Sequence, residues 1–157
     1  MQIAKSWRAL FPTVLLVASW DIHAESTLGY EPDADPFNLL ESAKSEAADE
    51  GKLILLMAGG DWCVWCHYLN AFIHANAEIG SALEETFVVV KAYYGDEADN
   101  SAFFNGLPEA VGYPHFWVLD SDGNILVSQN TLPLEDGDKS YSRDAFLAFI
   151  ETWRRRL

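Results

Sequence analysis

Sulfur and positive charge are both scarce in this chain. Its 157 residues hold two cysteines and two methionines, and ten Lys and Arg stand against twenty-four Asp and Glu, a formal charge of −14. So few cations leave no basic surface for a polyanion, which excludes nucleic acid and anionic lipid as expected partners. The apolar stretch ALFPTVLLVASW, Ala9–Trp20, is too short to span a bilayer. Internal repeats and low-complexity segments are lacking too. What is present is enough for one domain with a real core, since half of the residues are hydrophobic and 13% are aromatic.

The first two dozen residues differ from the rest. Lys5 and Arg8 form a short positive region before the apolar stretch, and Ile22–Ala24 supplies small or apolar residues after it. This pattern predicts a signal peptide over 1–24, cleaved after Ala24, with no cysteine there to take a lipid. A periplasmic or secreted protein follows, one that does not span the membrane once cleaved. The remainder divides into an extended leader, 25–35, and a domain, 36–157. Export gives the cysteine count a meaning. Exported proteins that use disulfides as staples tend to carry several, closing long loops. Cys63 and Cys66 enclose two residues, and so short a loop stabilises little by chain entropy. The pair makes more sense as chemistry than as architecture.

Hydrophobic periodicity supplies the elements around it. Asp35 and Pro36 read as the N-cap and first residue of a helix over 36–50, with Phe37, Leu40, Ala43, Lys44 and Ala47 at helical spacing and Gly51 as the stop. KLILLMA, 52–58, is a continuous apolar run, the mark of a strand buried on both faces. Gly59 and Gly60 break it. A helix begins near Cys63 and carries Leu69, Phe72, Ile73 and Ala77; GSALEET then reads as a turn before a second strand, FVVVKAYY, 87–94. A polar, weakly helical stretch leads to HFWVLD, the turn SDGN and ILVSQ, a hairpin. Residues 130–141 read as a loop, and Ser142 caps a closing helix with Phe146, Phe149, Ile150 and Trp153 on its apolar side. The first two strands, joined by a helical crossover, are expected to be parallel. The dithiol falls where the first strand hands over to its helix, the edge at which open α/β sheets place their sites.

Three chemistries fit GGDWCVWCHYL, 59–69. A redox dithiol wants the cysteine pair. A c-type haem wants C-x-x-C-H, with thioethers from Cys63 and Cys66 and His67 as an axial ligand. Its second axial ligand would have to be His74 or His115, because Met57 lies in the buried run and no methionine follows the motif. Structural zinc wants four ligands, and two cysteines with His67 or His74 fall short. No metal is expected.

With DWCVWC between a buried strand and a helix, and VGYPHFWVLDSDGNIL further on, the chain resembles the thioredoxin-like superfamily over about residues 36–155. It is similar in flavour to exported thiol:disulfide interchange proteins, such as the soluble C-terminal domain of the membrane-embedded interchange reductase. The resemblance implies an α/β fold with a central mixed four-stranded sheet flanked by helices, here with an extra N-terminal helix. It also implies a cis Pro114 beside the dithiol. Two departures concern the poise of the pair. Val64 and Trp65 stand where Gly-Pro is usual, and Met57 holds the place of a buried aspartate that relays protons in thioredoxins.

What the resemblance implies for chemistry is a thiol:disulfide oxidoreductase with no cofactor beyond the redox-active Cys63–Cys66 disulfide. Cys63, at a helix start, would be the exposed nucleophile, its thiolate favoured by unpaired amide N–H groups and the helix dipole. Cys66, one turn on, would be the buried resolving thiol. Trp62 and Trp65 would offer an apolar contact surface, and Tyr113-Pro114 backbone groups for a substrate strand. His115, His67 and Asp61 are candidates for tuning the thiols. Val64 and Trp65 put no charge beside a reduced thiolate, which favours a reductase or interchange role over an oxidase. The expected partners are disulfide-containing proteins or small thiols, and a membrane-bound electron donor, since the compartment itself is oxidising. Two rival readings stand beside this one: a haem-binding electron carrier, and a non-catalytic thioredoxin-like binding module.

Overall fold

The computed structural model describes residues 28–157; the expected signal peptide lies outside them. Its chain order is α1 (Pro36–Glu50), β1 (Leu53–Gly59), α2 (Val64–Ala75), α3 (Ala77–Thr86), β2 (Phe87–Tyr93), α4 (Ser101–Phe104), β3 (His115–Leu119), β4 (Ile125–Asn130) and α5 (Arg143–Arg154). The four strands form one sheet in the order β2-β1-β3-β4. β1 runs parallel to β2 and antiparallel to β3, and β3 pairs antiparallel with β4. The mixed sheet, the parallel β1–β2 pair and the closing hairpin are those expected from the sequence.

Local chemistry sets the boundaries. Asp35 accepts a hydrogen bond from the Phe37 amide at 2.9 Å, Pro36 occupies the first turn, and Gly51 ends α1 at φ 66. Only Pro36, Ala43 and Ala47 of α1 are fully buried. Phe37, expected on the buried face, is exposed and packs edge-on against Phe103 at 5.1 Å. Asp120 holds the hairpin turn by accepting from the amides of Asp122 and Asn124 at 3.0 and 2.8 Å.

One segment departs from expectation. Residues 80–86, read as a turn, belong to α3, which buries Ile79, Ala82, Leu83 and Thr86. That stripe has helical spacing, and its burial against the core outweighs the cost of one glycine within the helix. The loop over 130–141 is as expected except for a short 3-10 turn at Leu132–Leu134.

Every residue of β1 is buried, so the sheet has two covered faces. Leu53, Leu55 and Met57 join Phe116 and Val118 under Leu69 and Phe72 of α2 and Phe146, Phe149, Ile150 and Trp153 of α5. Ile54, Leu56 and Ala58 join Trp117 and Leu119 under Ala43 and Ala47 of α1. A third, smaller cluster forms at the end of the sheet and holds Leu28, Tyr30, Cys63, Cys66 and Tyr93. Among the described residues, no helix is long and apolar enough to cross a membrane.

Candidate functional site

β1 ends at Gly59, and Cys63 is the N-cap of α2, extended at φ −90, ψ 106. Its sulfur accepts from the Cys66 amide at 3.2 Å, so one free N–H of the helix start is spent on Cys63 Sγ. One turn of helix brings the Cα atoms within 5.2 Å, and the two residues are joined as a disulfide. Cys66 is buried, as expected, at 2% exposure. Cys63 is not the exposed residue that the sequence implied: it is 4% exposed. Leu28, Tyr30 and Tyr93 gather round the pair, with Trp65, Ala98 and Tyr113 packed against them.

An aromatic ledge stands on the open side. Trp62 is 52% exposed, yet its Nε1 donates to the Tyr94 carbonyl at 2.6 Å. A Cβ on Gly60 would stand 2.5 Å from that nitrogen, and one on Gly95 2.8 Å from it, so glycine is required on both sides of the indole. Tyr113 meets Trp62 edge-on at 5.5 Å and stacks on Tyr94 at 4.6 Å, and Tyr94 meets Phe104 edge-on at 5.2 Å. Val64 is exposed beside them. The Tyr113–Pro114 peptide is cis, and the Pro114 carbonyl accepts from Thr131 Oγ1 at 3.3 Å. Burial pushes the Tyr113 phenol up, and its contact with Tyr94 adds to the shift.

Trp65 turns the other way. It is half-buried rather than a surface residue, edge-on to Tyr68 at 5.4 Å and to Tyr141 at 5.9 Å, and its carbonyl accepts from the Tyr141 hydroxyl at 3.4 Å. Aromatic neighbours take in the indole that the sequence reading placed on the contact surface.

The titratable candidates are spread around the pair. His67 is exposed, and its Nε2 lies 2.7 Å from the Asp61 carbonyl oxygen. A carbonyl can only accept, so that nitrogen carries the proton. Asp61 is exposed, and its charge acts on Lys91. His115 shares the strand parity of Trp117, whose ring it meets at 4.5 Å, and so faces α1 rather than α2. Its Nε2 lies 2.8 Å from Ser128 Oγ, while its buried Nδ1 has no hydrogen-bond partner among the described residues. Burial holds its pKa below the ordinary histidine value. Among the described residues, no group of three or more His, Cys, Asp or Glu could hold a metal ion.

Behind the disulfide lies a cavity of about 250 Å³ that reaches Cys66 and is lined by Tyr30, Met57, Leu69, Leu83 and Lys91 among others. Met57, in the place of the missing aspartate, pairs in register with Lys91. Lys91 Nζ donates to the Leu28 carbonyl at 2.5 Å, and burial pulls its pKa below the usual lysine value, with Asp61 opposing the shift. Burial likewise pushes the Tyr30 phenol well up, so it stays neutral. Tyr30, Lys91, Tyr93 and Tyr94 escaped the sequence reading. The Gly59-Gly60 pair was the available signal: Gly59 is the last residue of β1, and it is glycine because a Cβ there would stand 2.5 Å from Cys66 Sγ and 3.0 Å from the Tyr30 hydroxyl.

Residues 35–121 match a family model described as thioredoxin-like. Spermatogenesis-associated protein 20 of Homo sapiens is 29% identical over 120 residues, which cover 73% of this chain and 15% of that protein. The Rattus norvegicus protein of the same name is 27% identical over 120 residues, with the same coverage. The chain thus spans about 15% of the length of these curated relatives. Among solved structures, the disulphide isomerase from Xylella fastidiosa Temecula1 superposes with a TM-score of 0.67 at 23% identity, over 78% of this chain and 94% of that one. The C-terminal domain of Neisseria meningitidis DsbD, in its oxidised form, does so with a TM-score of 0.56 at 19% identity, over 76% and 97%. At these identities the likeness is one of fold.

Proposed function

The chain belongs to the thioredoxin-like family, and on that premise we propose that it is an exported thiol:disulfide oxidoreductase working through Cys63 and Cys66, as a reductase or interchange enzyme. The observation that carries this reading is the joined pair at the start of α2, beside the half-exposed Trp62. The reduced Cys63 thiolate attacks one sulfur of a client disulfide, and the other client sulfur leaves as a thiolate that takes up a proton. Cys66, deprotonated in turn, attacks Cys63 Sγ and releases the second client thiol. Two electrons pass to the client, and the Cys63–Cys66 disulfide is restored. Client groups would reach Cys63 over the Trp62–Tyr113–Tyr94 ledge, which offers ring faces and edges at fixed positions.

Several parts of the reading rest on sequence. Export rests on the pattern of residues 1–24. The reducing direction rests on Val64 and Trp65, which bring no cation to the thiolate. The clients, proteins or small thiols, and a membrane-bound donor that reduces the pair again, follow from the oxidising compartment. The haem reading is less favoured, because each sulfur is bonded to the other and the His67 ring is held by the Asp61 carbonyl.

The experiment is a redox titration of the purified protein in dithiothreitol or glutathione buffers, followed by tryptophan fluorescence. A two-electron transition at roughly −270 to −200 mV is expected. A value near about −120 mV would make the protein an oxidant, and no transition would remove the redox reading altogether.

A further inference from the structure

We propose that Tyr30 is a positioning residue for Cys66: its hydroxyl faces the resolving sulfur and donates a hydrogen bond to the thiolate once the disulfide opens. The proposal rests on the oxidoreductase reading above for its consequence, but not for its geometry. Gly59 measures the approach. A Cβ built on that residue would meet Cys66 Sγ at 2.5 Å and the Tyr30 hydroxyl at 3.0 Å, so sulfur and oxygen are separated by no more than the sum of those distances. Tyr30 is 3% exposed and shares a cluster with both cysteines. A side chain at residue 59 would press on both groups, and glycine leaves that space to them.

The chemistry at Cys66 gains from such a donor. To attack Cys63 Sγ, Cys66 must lose its proton in a site that is almost fully closed to water, where a thiolate is disfavoured. Cys66 gives its proton to solvent as the mixed disulfide holds the site open. In the attack the Cys66–Cys63 bond forms, the Cys63–client bond breaks, and the electron pair leaves on the client sulfur, which takes a proton from solvent in its place. The phenol keeps its own proton throughout and supplies a charge-assisted hydrogen bond. It is suited to this because burial, with a smaller contribution from Tyr141, keeps it neutral.

The other ionisable groups around Tyr30 and the cavity play different parts. Lys91, on β2, lies 5.6 Å from the centre of the Tyr30 ring and gives its ammonium to the Leu28 carbonyl. Asp61, from the loop before Cys63, acts on Lys91. His74 of α2 and Glu84 of α3 line the same cavity, and the Tyr93 hydroxyl accepts from the Glu97 amide at 3.3 Å. Met57 stands on the strand beneath, where it offers no carboxylate. The tyrosine comes instead from the segment ahead of α1, far from the motif in sequence.

The test uses the Cys63→Ser protein, which leaves Cys66 as the single thiol, with and without Tyr30→Phe. The rate of alkylation by iodoacetamide is followed against pH, with melting temperature as the control for folding. Loss of the hydroxyl is expected to raise the Cys66 pKa by about one unit, roughly a tenfold fall in alkylation at neutral pH. In the two-cysteine protein the same change should prolong the mixed disulfide to a similar degree. An unchanged Cys66 titration overturns the proposal, whatever the melting temperature does. It is also overturned if Lys91→Met shifts the thiol and Tyr30→Phe does not. Were Tyr30→Phe too unstable to titrate, fluorotyrosine-labelled protein would replace it: a Tyr30 resonance that follows Cys66 ionisation sustains the proposal, and one blind to it does not. A wild-type protein inert towards every disulfide, in which Tyr30→Phe still moves the Cys66 pKa, would remove the oxidoreductase reading alone.

Discussion

The two sides of the Cys63–Cys66 disulfide are built from the same kind of residue to opposite ends. In front, Trp62, Tyr113 and Tyr94 stand at the surface, with Trp62 half-exposed and fixed by its bond to the Tyr94 carbonyl. Behind, Tyr30 is sealed with Leu28, and Lys91 is bonded to a backbone carbonyl. On the proposed reading the front is where a client lands and the back is where the resolving thiolate is held. Aromatic content by itself therefore indicates neither role; what separates them is whether the rings end against solvent or against sulfur.

The strongest way to break that division is to remove one sulfur at a time. Cys63→Ser should abolish disulfide reduction, while Cys66→Ser should retain the first attack and accumulate a stable mixed disulfide with a client, seen by mass spectrometry. If Cys66→Ser turned over like the wild type, the rear sulfur would have no resolving role. Next in size is Gly59→Ala. The added carbon overpacks the rear, against both Cys66 Sγ and the Tyr30 ring, and should cost about 1–3 kcal/mol in chemical denaturation. A neutral result would mean that the rear cluster yields easily.

Trp62→Ala tests the front. It should lower kcat/KM on a protein disulfide by about tenfold and leave reaction with dithiothreitol near wild type, since a small thiol needs no ledge. Equal losses on both substrates would place Trp62 among the groups that set thiol chemistry. The smallest effect belongs to His115, which lies on the far face. Burial lowers its pKa in the folded state from the ordinary 6.5, so the unfolded chain binds the extra proton first. Stability contributed by the neutral ring is complete above about pH 7 and is lost as the pH falls from near 6.5 through the folded pKa. His115→Gln should flatten that part of a stability–pH curve without altering the alkylation of Cys63. A changed thiol titration would show that the far face reaches the site.

Much of this arrangement is legible in the sequence, and the limit is physical. The strands, the crossover and the helix that follows Cys63 depend on local period and on Gly, Pro and Asp signals, so DWCVWC and the hairpin place themselves. GSALEET reads as a turn because it is short and polar, yet Ile79, Ala82, Leu83 and Thr86 form a helical stripe that packs against the core. Burial of Cys63 was missed for a different reason. Leu28 and Tyr30 come from residues that looked like a plain leader, and Tyr93 from the end of the second strand. No window around residue 63 contains them. The inward turn of Trp65 likewise needs Tyr141, supplied by a loop much later in the chain.

The indole of Trp62, pinned between Gly60 and Gly95, also bears on the entropy of encounter. A surface side chain of that size ordinarily gives up rotamer freedom when a partner immobilises it, at about 0.5–1.5 kcal/mol for a rotamer-rich group. Here that freedom is already surrendered on folding, to a hydrogen bond within the same chain. A visiting client meets a ring whose position is already set by that bond. Short-lived contacts at this ledge can then be selective without being long.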